Sequence, residues 1–383
     1  MQFNLGRVAI IADQMTAFGG ADREMLSVLK LLPNADIYTV LYNPEKYKQL
    51  HIKQNIHTTF VQKFPFKYKF SKHLKVLNPI AYENLDLREY DTLISISAGP
   101  ARGIIPTINQ THIAMVMTPP RSLWDNELNV RASIFKGIYK PLSKILNTYL
   151  RIWDTSLVPR VDYWTANSKF IAKKIKKRYG VDSKVIYPGI EEKYFEKFKR
   201  EDTGKILTKY NLPEEFVLVV SRLYDYKRVD WAIKSCIESG ENLVIVGEGP
   251  DKKYLKKLTR GYKNIYFLGF LDSDRDVRIL YNQAKVLLFC GVEDFGLVLV
   301  EAMAQGTPIL AYNEGGVTET VLEGECGKFF KNNGELTKLL KDFDEKEYNA
   351  QRVVNRAREF TEEKFLDNLK QYLEEIHEEE EIQ

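Results

Sequence analysis

Val286-Leu287-Leu288-Phe289, Glu293-Asp294-Phe295-Gly296-Leu297-Val298-Leu299-Val300-Glu301 and Ala302-Met303-Ala304-Gln305-Gly306-Thr307-Pro308 form the stretch whose reading decides the fold. A short apolar run reads as a buried strand, a glycine frees the backbone behind it, and an apolar helical pattern follows before the next strand at Pro308–Ala311. One carboxylate, Glu293, stands where the strand gives out, and a second, Glu301, lies inside the helix. That layout suits a sugar nucleotide. Sugar hydroxyls are held by short acceptors, a diphosphate by backbone N–H groups at a helix start, and a ribose diol by a carboxylate further along. The plainer reading makes Glu293 a solvated loop acid and Glu301 a helix surface charge.

Outward from this unit, short β-rich runs alternate with helical patterns, as in parallel α/β sheets. Val8–Ala12, Asp36–Val40, Thr92–Ser97, Ile113–Met117 and Tyr163–Ala166 make a first series, with helical segments such as Arg23–Leu31 and Lys169–Tyr179 between them. Phe216–Val220, Leu243–Val246, Ile265–Leu268, Val286–Phe289 and Pro308–Ala311 make a second, after a charged, irregular stretch from Glu191 to about Glu215. At 383 residues the chain is long for one core. Two doubly wound domains are therefore predicted, 1–195 and 205–355, with a charged helical tail over 356–383 packing back on the first.

The formal charge of +4 conceals an asymmetry, because residues 1–195 hold 28 Lys and Arg against 16 acids and residues 196–383 hold 28 against 36. A basic first domain favours an anionic partner or surface. Cys236, Cys290 and Cys326 are too far apart for a metal or disulfide pattern and read as reduced cytosolic thiols. The N-terminus reads as a first strand, not a signal peptide, and no window approaches the roughly 20 apolar residues of a membrane span. The chain shows neither a G-x-G-x-x-G fingerprint nor a Walker P-loop, which removes most support for nucleotide-triphosphate hydrolysis.

Other strand ends add chemistry to the two acids. Arg222 and Lys227 follow Phe216–Val220, placed beyond a strand's carboxyl end where open sheets bind ligands, and both can neutralise a diphosphate. Gly247-Glu248-Gly249-Pro250 is a tight turn, and Gly315-Gly316 opens the backbone after Ile309 to a ligand or to neighbouring loops alike. Gly19 and Gly20 precede the first helix and expose N–H groups suited to an anion.

Gly19-Gly20, Tyr187-Pro188-Gly189, Ser221-Arg222-Leu223 with Lys227, Gly247-Glu248-Gly249-Pro250, and Glu293 to Glu301 with Gly306-Thr307-Pro308 occur in the order seen in glycosyltransferase family 4, which the chain resembles over nearly its whole length. The resemblance implies an α/β GT-B fold, with two Rossmann-like domains facing across a cleft. It further implies retaining, metal-independent transfer from a nucleotide-sugar donor, with no metal and no other cofactor. Thr118-Pro119-Pro120-Arg121-Ser122-Leu123-Trp124-Asp125, Arg151-Ile152-Trp153-Asp154 and Val161-Asp162-Tyr163-Trp164-Thr165-Ala166-Asn167-Ser168 look like the bacterial O-antigen and capsule mannosyltransferases.

By position, the resemblance gives Arg222 and Lys227 the donor diphosphate, and Glu293 the sugar hydroxyls. The N–H groups of Phe295, Gly296 and Leu297 would meet phosphate, Glu301 would take the ribose, and Gly247, Gly19 and Gly20 would line the donor site. Arg222, Lys227 and Glu293 become the catalytic candidates; Met117, Thr118, Arg121 and Asp125 become acceptor or cleft candidates. Met117 departs from the pattern, since similar mannosyltransferases carry a histidine before this Thr-Pro, and a thioether cannot donate a hydrogen bond. His112, at the start of the same strand, reads as a surface residue.

Lys63-Phe64-Pro65-Phe66-Lys67-Tyr68-Lys69-Phe70-Ser71-Lys72-His73-Leu74-Lys75 interleaves five lysines with four aromatics and no acid, a composition suited to an anionic bilayer. Lys63, Phe64, Phe66, Lys67, Lys69, Phe70 and Lys72 are the membrane candidates, and no nucleic-acid module accompanies them. Lys173, Lys174, Lys176, Lys177 and Arg178 read as a solvated helix face. The expectation is a cytoplasmic enzyme, peripheral at the inner face of the membrane, moving mannose from GDP-mannose to a lipid-linked or polysaccharide acceptor. A UDP-sugar transferase and a catalytically weakened glycan- or nucleotide-binding relative are the alternatives.

Overall fold

A computed structural model describes residues 5–50, 52–125 and 140–382, and divides them into two compact units, 1–187 with 365–383, and 188–364. The first holds a seven-stranded sheet of β1 (Val8–Ala12), β2 (Asp36–Thr39), β3 (Ile56–Thr58), β4 (Thr92–Ser97), β5 (Thr111–Val116), β6 (Tyr163–Ala166) and β7 (Lys184–Val185). Its order is β3-β2-β1-β4-β5-β6-β7 and every pairing is parallel. The second holds β8 (Val217–Val220), β9 (Leu243–Val246), β10 (Ile265–Gly269), β11 (Val286–Phe289), β12 (Ile309–Tyr312) and β13 (Gly327–Phe330), parallel throughout in the order β10-β9-β8-β11-β12-β13.

Both orders are doubly wound, so each sheet has a switch point where the winding reverses, between β1 and β4 in one unit and between β8 and β11 in the other. The central strands are buried on both faces, which is why Val8–Ala12 and Val286–Phe289 are unbroken apolar runs. Sequence reading misses β3, β7 and β13. The first two are short edge strands, and β13 (Gly-Lys-Phe-Phe) has too little β-branching to stand out.

Two boundaries differ from expectation. Residues 188–195 belong with the second unit, because the Ile190 N–H donates to Phe360 O at 3.0 Å and the Glu362 N–H returns a bond to Ile190 O at 2.9 Å. The stretch expected to be irregular after Glu191 contains a helix, Arg200–Tyr210, ended by Asn211 in the left-handed region. The C-terminal helix Glu362–Ile382 crosses from one unit to the other. Phe365, Leu369, Leu373 and Ile376, spaced along one helical face, are buried in the first unit's core with Ile10, Ile94 and Ile113. Each such side chain contributes roughly 1.5–3 kcal/mol on burial.

His112 is not at the surface. It is fully buried, one ring nitrogen 2.9 Å from the Ser95 hydroxyl and the other 2.6 Å from Arg160 O, and burial pulls its pKa down to about 4. The basic helix Lys169–Tyr179 is only partly a solvated face, since Lys174 and Arg178 turn inward to Asp125.

Candidate functional site

The site in the second unit is built at its switch point. Arg222 and Lys227 lie on the segment that leaves β8, and Glu293 lies on the loop that leaves β11, so the two sides of the reversal carry opposite charge. Lys227 Nζ pairs directly with the Glu293 carboxylate, both side chains being mostly buried. The same ammonium stands 5.3 Å from the Tyr226 ring and 5.8 Å from Phe289. Arg222 is exposed, stands over Tyr224 at 5.6 Å and reaches Tyr226 Oη at 3.4 Å. A small pocket lined by Ser221, Lys227, Phe289, Cys290 and Gly291 opens between the two strand ends.

The glycines of these loops serve the loops themselves. A Cβ on Gly247, whose φ is +131°, would overlap the Ser221 carbonyl oxygen, and one on Gly249 would overlap Leu223. Gly291 lies against the Lys227 backbone, where a Cβ would sit 3.0 Å from its Cα. Gly315, at φ +97°, pairs in a parallel bridge with Glu293, and the Gly316 N–H donates to Glu293 O at 2.8 Å. Four strand-end loops are thus stacked backbone on backbone, and the stack sets where Arg222, Lys227 and Glu293 point. Gly315→Ala is expected to cost about 1–3 kcal/mol by forcing a side chain into the left-handed region 2.5 Å from Glu293 O. A melting curve that does not move would contradict this account.

Glu301 is no surface charge. It is 5% exposed on the helix Leu297–Ala304 and accepts a 2.8 Å bond from Tyr281 Oη. Gly296, at φ +93°, turns the chain into that helix, and Phe295 packs its ring 5.3 Å from Phe360. Tyr281 and Tyr226 escape sequence reading because nothing in their neighbours marks them as polar contacts. Only the fold brings them to the acids and cations.

In the first unit, Gly19 and Gly20 behave differently from the loop glycines. A Cβ on Gly19 would come no nearer than 3.7 Å to Asp22, and one on Gly20 would meet nothing within 4 Å. No packing demand inside the unit explains them. Asp22 receives the Gly19 N–H at 2.8 Å and the Tyr47 hydroxyl at 2.6 Å, which fixes the turn. Half-buried Asp13 joins the ends of β1 and β4 by accepting from Ser97 Oγ and the Ala98 N–H, both at 2.8 Å; desolvation raises its pKa against those bonds.

The acceptor candidates lie on the segment that leaves β5. Met117 donates its N–H to Ser97 O at 2.9 Å, accepts from Asn167 at 3.0 Å, and packs its side chain on the β1 core. Thr118 is buried, and Arg121 opens a short helical turn, Arg121–Trp124. Asp125 is held by Arg178 and, at 3.5 Å, by Lys174. Trp124 Nε1 donates at 2.8 Å to buried Asp154. The membrane candidates Phe64, Phe66 and Phe70 are exposed with Lys63 and Lys69, Lys67 is half-buried, and the Lys72 side chain lies outside the described residues.

No group of three or more metal-ligating side chains occurs among the described residues, and no helix among them is long and apolar enough to cross a membrane. Two Rossmann-like α/β domains in succession define the GT-B class of fold. The family model for group 1 glycosyl transferases matches residues 202–360, and that for Glycosyltransferase Family 4 matches residues 18–194. The chain belongs to glycosyltransferase family 4.

The chain is 29% identical over 214 residues to alpha-monoglucosyldiacylglycerol synthase of Acholeplasma laidlawii, a match that spans 52% of each chain and so about half the relative's length. Among solved structures, Anabaena HepE in complex with UDP-glucose superposes with a TM-score of 0.70 at 19% identity, covering 97% of this chain and 100% of that one. Sucrose-phosphate synthase from Thermosynechococcus elongatus reaches 0.72 at 15% identity, covering 97% and 99%. At such identities the structural likeness concerns the fold.

Proposed function

We propose that the chain is a retaining, metal-independent hexosyltransferase that moves mannose from GDP-mannose to a lipid-linked or polysaccharide acceptor in cell-surface glycan synthesis. The observation that carries this reading is the Lys227–Glu293 pair at the β8/β11 switch point, with Arg222 beside it. Breaking the anomeric C–O bond leaves negative charge on the departing diphosphate. Arg222, Lys227 and the start of the helix Leu297–Ala304 are suited to stabilise it without a metal. Glu293 takes the sugar hydroxyls and Glu301, oriented by Tyr281, takes the ribose. The acceptor oxygen attacks on the face the diphosphate leaves, a new C–O bond forms as the old one breaks, and the acceptor proton passes to the departing phosphate. No protein nucleophile is needed.

Mannose is favoured by the motifs at 118–125, 151–154 and 161–168. A UDP-sugar donor is the second reading, favoured by the UDP-glucose held by HepE. A lipid acceptor is in keeping with the diacylglycerol in the name of the Acholeplasma relative. A place at the cytoplasmic face of the membrane is supported by the exposed phenyl groups of Phe64, Phe66 and Phe70 among lysines. Calorimetric titration with GDP and UDP separates the donors: GDP is expected to bind at least about tenfold tighter, a difference of about 1.4 kcal/mol. Preference for UDP would overturn the choice of GDP-mannose. Nucleotide binding without turnover of any sugar nucleotide would favour a non-catalytic relative, which Met117 in place of a histidine makes the natural rival.

A further inference from the structure

One apolar surface is absorbed by none of this. The helix Lys140–Ser156 buries Asp154 toward the domain, and its Trp153 donates to Glu83 at 2.9 Å. On its other side Ile145, Tyr149 and Ile152 are 66%, 50% and 65% exposed. Their spacing of four and three residues puts them in one row about 10 Å long. The serine and threonine hydroxyls flanking the row already have partners on their own helix. Thr155 Oγ1 donates to Arg151 O at 3.0 Å and Ser156 Oγ to Trp153 O at 2.7 Å, while Thr148 Oγ1 accepts from Arg151 at 3.1 Å. This face can leave water without stranding those side-chain hydroxyls. The helix's acid, Asp154, is turned inward.

We propose that this face is a hydrophobic anchor that seats the first unit in an anionic bilayer, next to the lysine-aromatic loop. The inference rests on the membrane part of the reading above and adds the element that enters the lipid. Trp153 packs on the same core cluster as Leu74, at the end of the loop, and Leu77, just after it, so helix and loop share one layer over the sheet. Within the loop, Phe66 takes a left-handed φ of +51°, uncommon for a bulky residue, and is 76% exposed. Residues 60–82 contain five lysines and no acid. Twelve of the sixteen exposed large apolar or aromatic side chains among the described residues lie in this unit. A row of three side chains is too small for a stable protein interface, which buries roughly 800 Å² per partner, whereas interfacial helices insert such faces into the headgroup boundary under electrostatic attraction.

The test is co-sedimentation of the full chain with vesicles of phosphatidylglycerol mixed with phosphatidylcholine, and with phosphatidylcholine alone. Ile145→Ser, Tyr149→Ser and Ile152→Ser combined are expected to lower binding to the anionic vesicles by about tenfold or more, from the apolar area lost, with nucleotide affinity unchanged. A triple variant that binds like the parent, while Lys63→Gln, Lys67→Gln and Lys69→Gln release the protein, would overturn the anchor and leave the loop as the contact. A parent chain that ignores anionic vesicles overturns anchor and membrane reading together, without touching the reading of glycosyl transfer. Light scattering that shows a parent dimer split by the triple variant would make the face a self-interface and also overturn the anchor. Should the triple variant not fold, Ile152→Trp with brominated lipid gives the same decision. Quenching of the added indole supports insertion, and its absence refutes it.

Discussion

Transfer is expected to fall by about a hundredfold to a thousandfold in Glu293→Gln while nucleotide affinity stays within about threefold. The structure makes the substitution a clean one. The loop that carries Glu293 is tied to its neighbour through the main chain, by the parallel bridge to Gly315 and the Gly316 N–H on Glu293 O, so an isosteric amide leaves the backbone where it is. What changes is the charge opposite Lys227 and the acceptor offered to a sugar hydroxyl. On the proposed division of labour, phosphate binding belongs to Arg222 and Lys227, and the sugar belongs to Glu293. Lys227→Ala should therefore weaken both nucleotide binding and transfer, whereas Glu293→Gln should weaken transfer alone. Turnover of a sugar nucleotide and calorimetry with the nucleoside diphosphate read the two quantities separately. Parallel loss of both in Glu293→Gln would refute the assignment.

The architecture was legible where strands are central and obscure where they are edges. Val8–Ala12 and Val286–Phe289 must be apolar on both faces, so they announce themselves; Ile56–Thr58 and Lys184–Val185 are too short and too exposed to do so. Glu293, Arg222 and Lys227 could be picked out because each follows a strand that reads clearly, and a switch point collects whatever follows such strands. The glycines could not be told apart by local pattern. Gly247 reads as part of a tight turn and Gly315-Gly316 as serving a ligand or neighbouring loops alike; at Gly247 and Gly315 the space a side chain would need is filled by the backbone of adjoining loops, which no local pattern reveals. Gly19 and Gly20, with the same local signature, face open space. Partners such as buried Tyr281 for Glu301, or half-buried Asp13 for Ser97, are products of tertiary contact and leave no periodicity to read.

Asp154→Ala is expected to destabilise the first unit by about 3–5 kcal/mol, a value the sequence alone gives no reason to suspect. Arg102, between Ala101 and Gly103 in a short 3-10 turn, is wholly buried, and Asp154 is 1% exposed. The guanidinium donates to Asp154 at 2.8 Å and to Tyr179 Oη at 2.9 Å, and its Nε donates to Gly99 O at 3.1 Å. It also stands 5.1 Å from the Trp164 ring and 4.6 Å from that of Tyr179. Asp154 in turn accepts from Tyr179 at 2.7 Å and from Trp124 at 2.8 Å.

Removing the carboxylate leaves a buried cation without its counter-charge and frees Trp124, the residue before Asp125 in the acceptor motif. Replacing both partners, Arg102→Leu with Asp154→Leu, should cost clearly less than the sum of the single changes, because neither charge is then stranded. Denaturant melts of the two single variants and the double variant measure this coupling. An Asp154→Ala variant within about 1 kcal/mol of the parent would mean that water or a neighbouring group compensates Arg102, and that the motif at 118–125 does not depend on the buried pair.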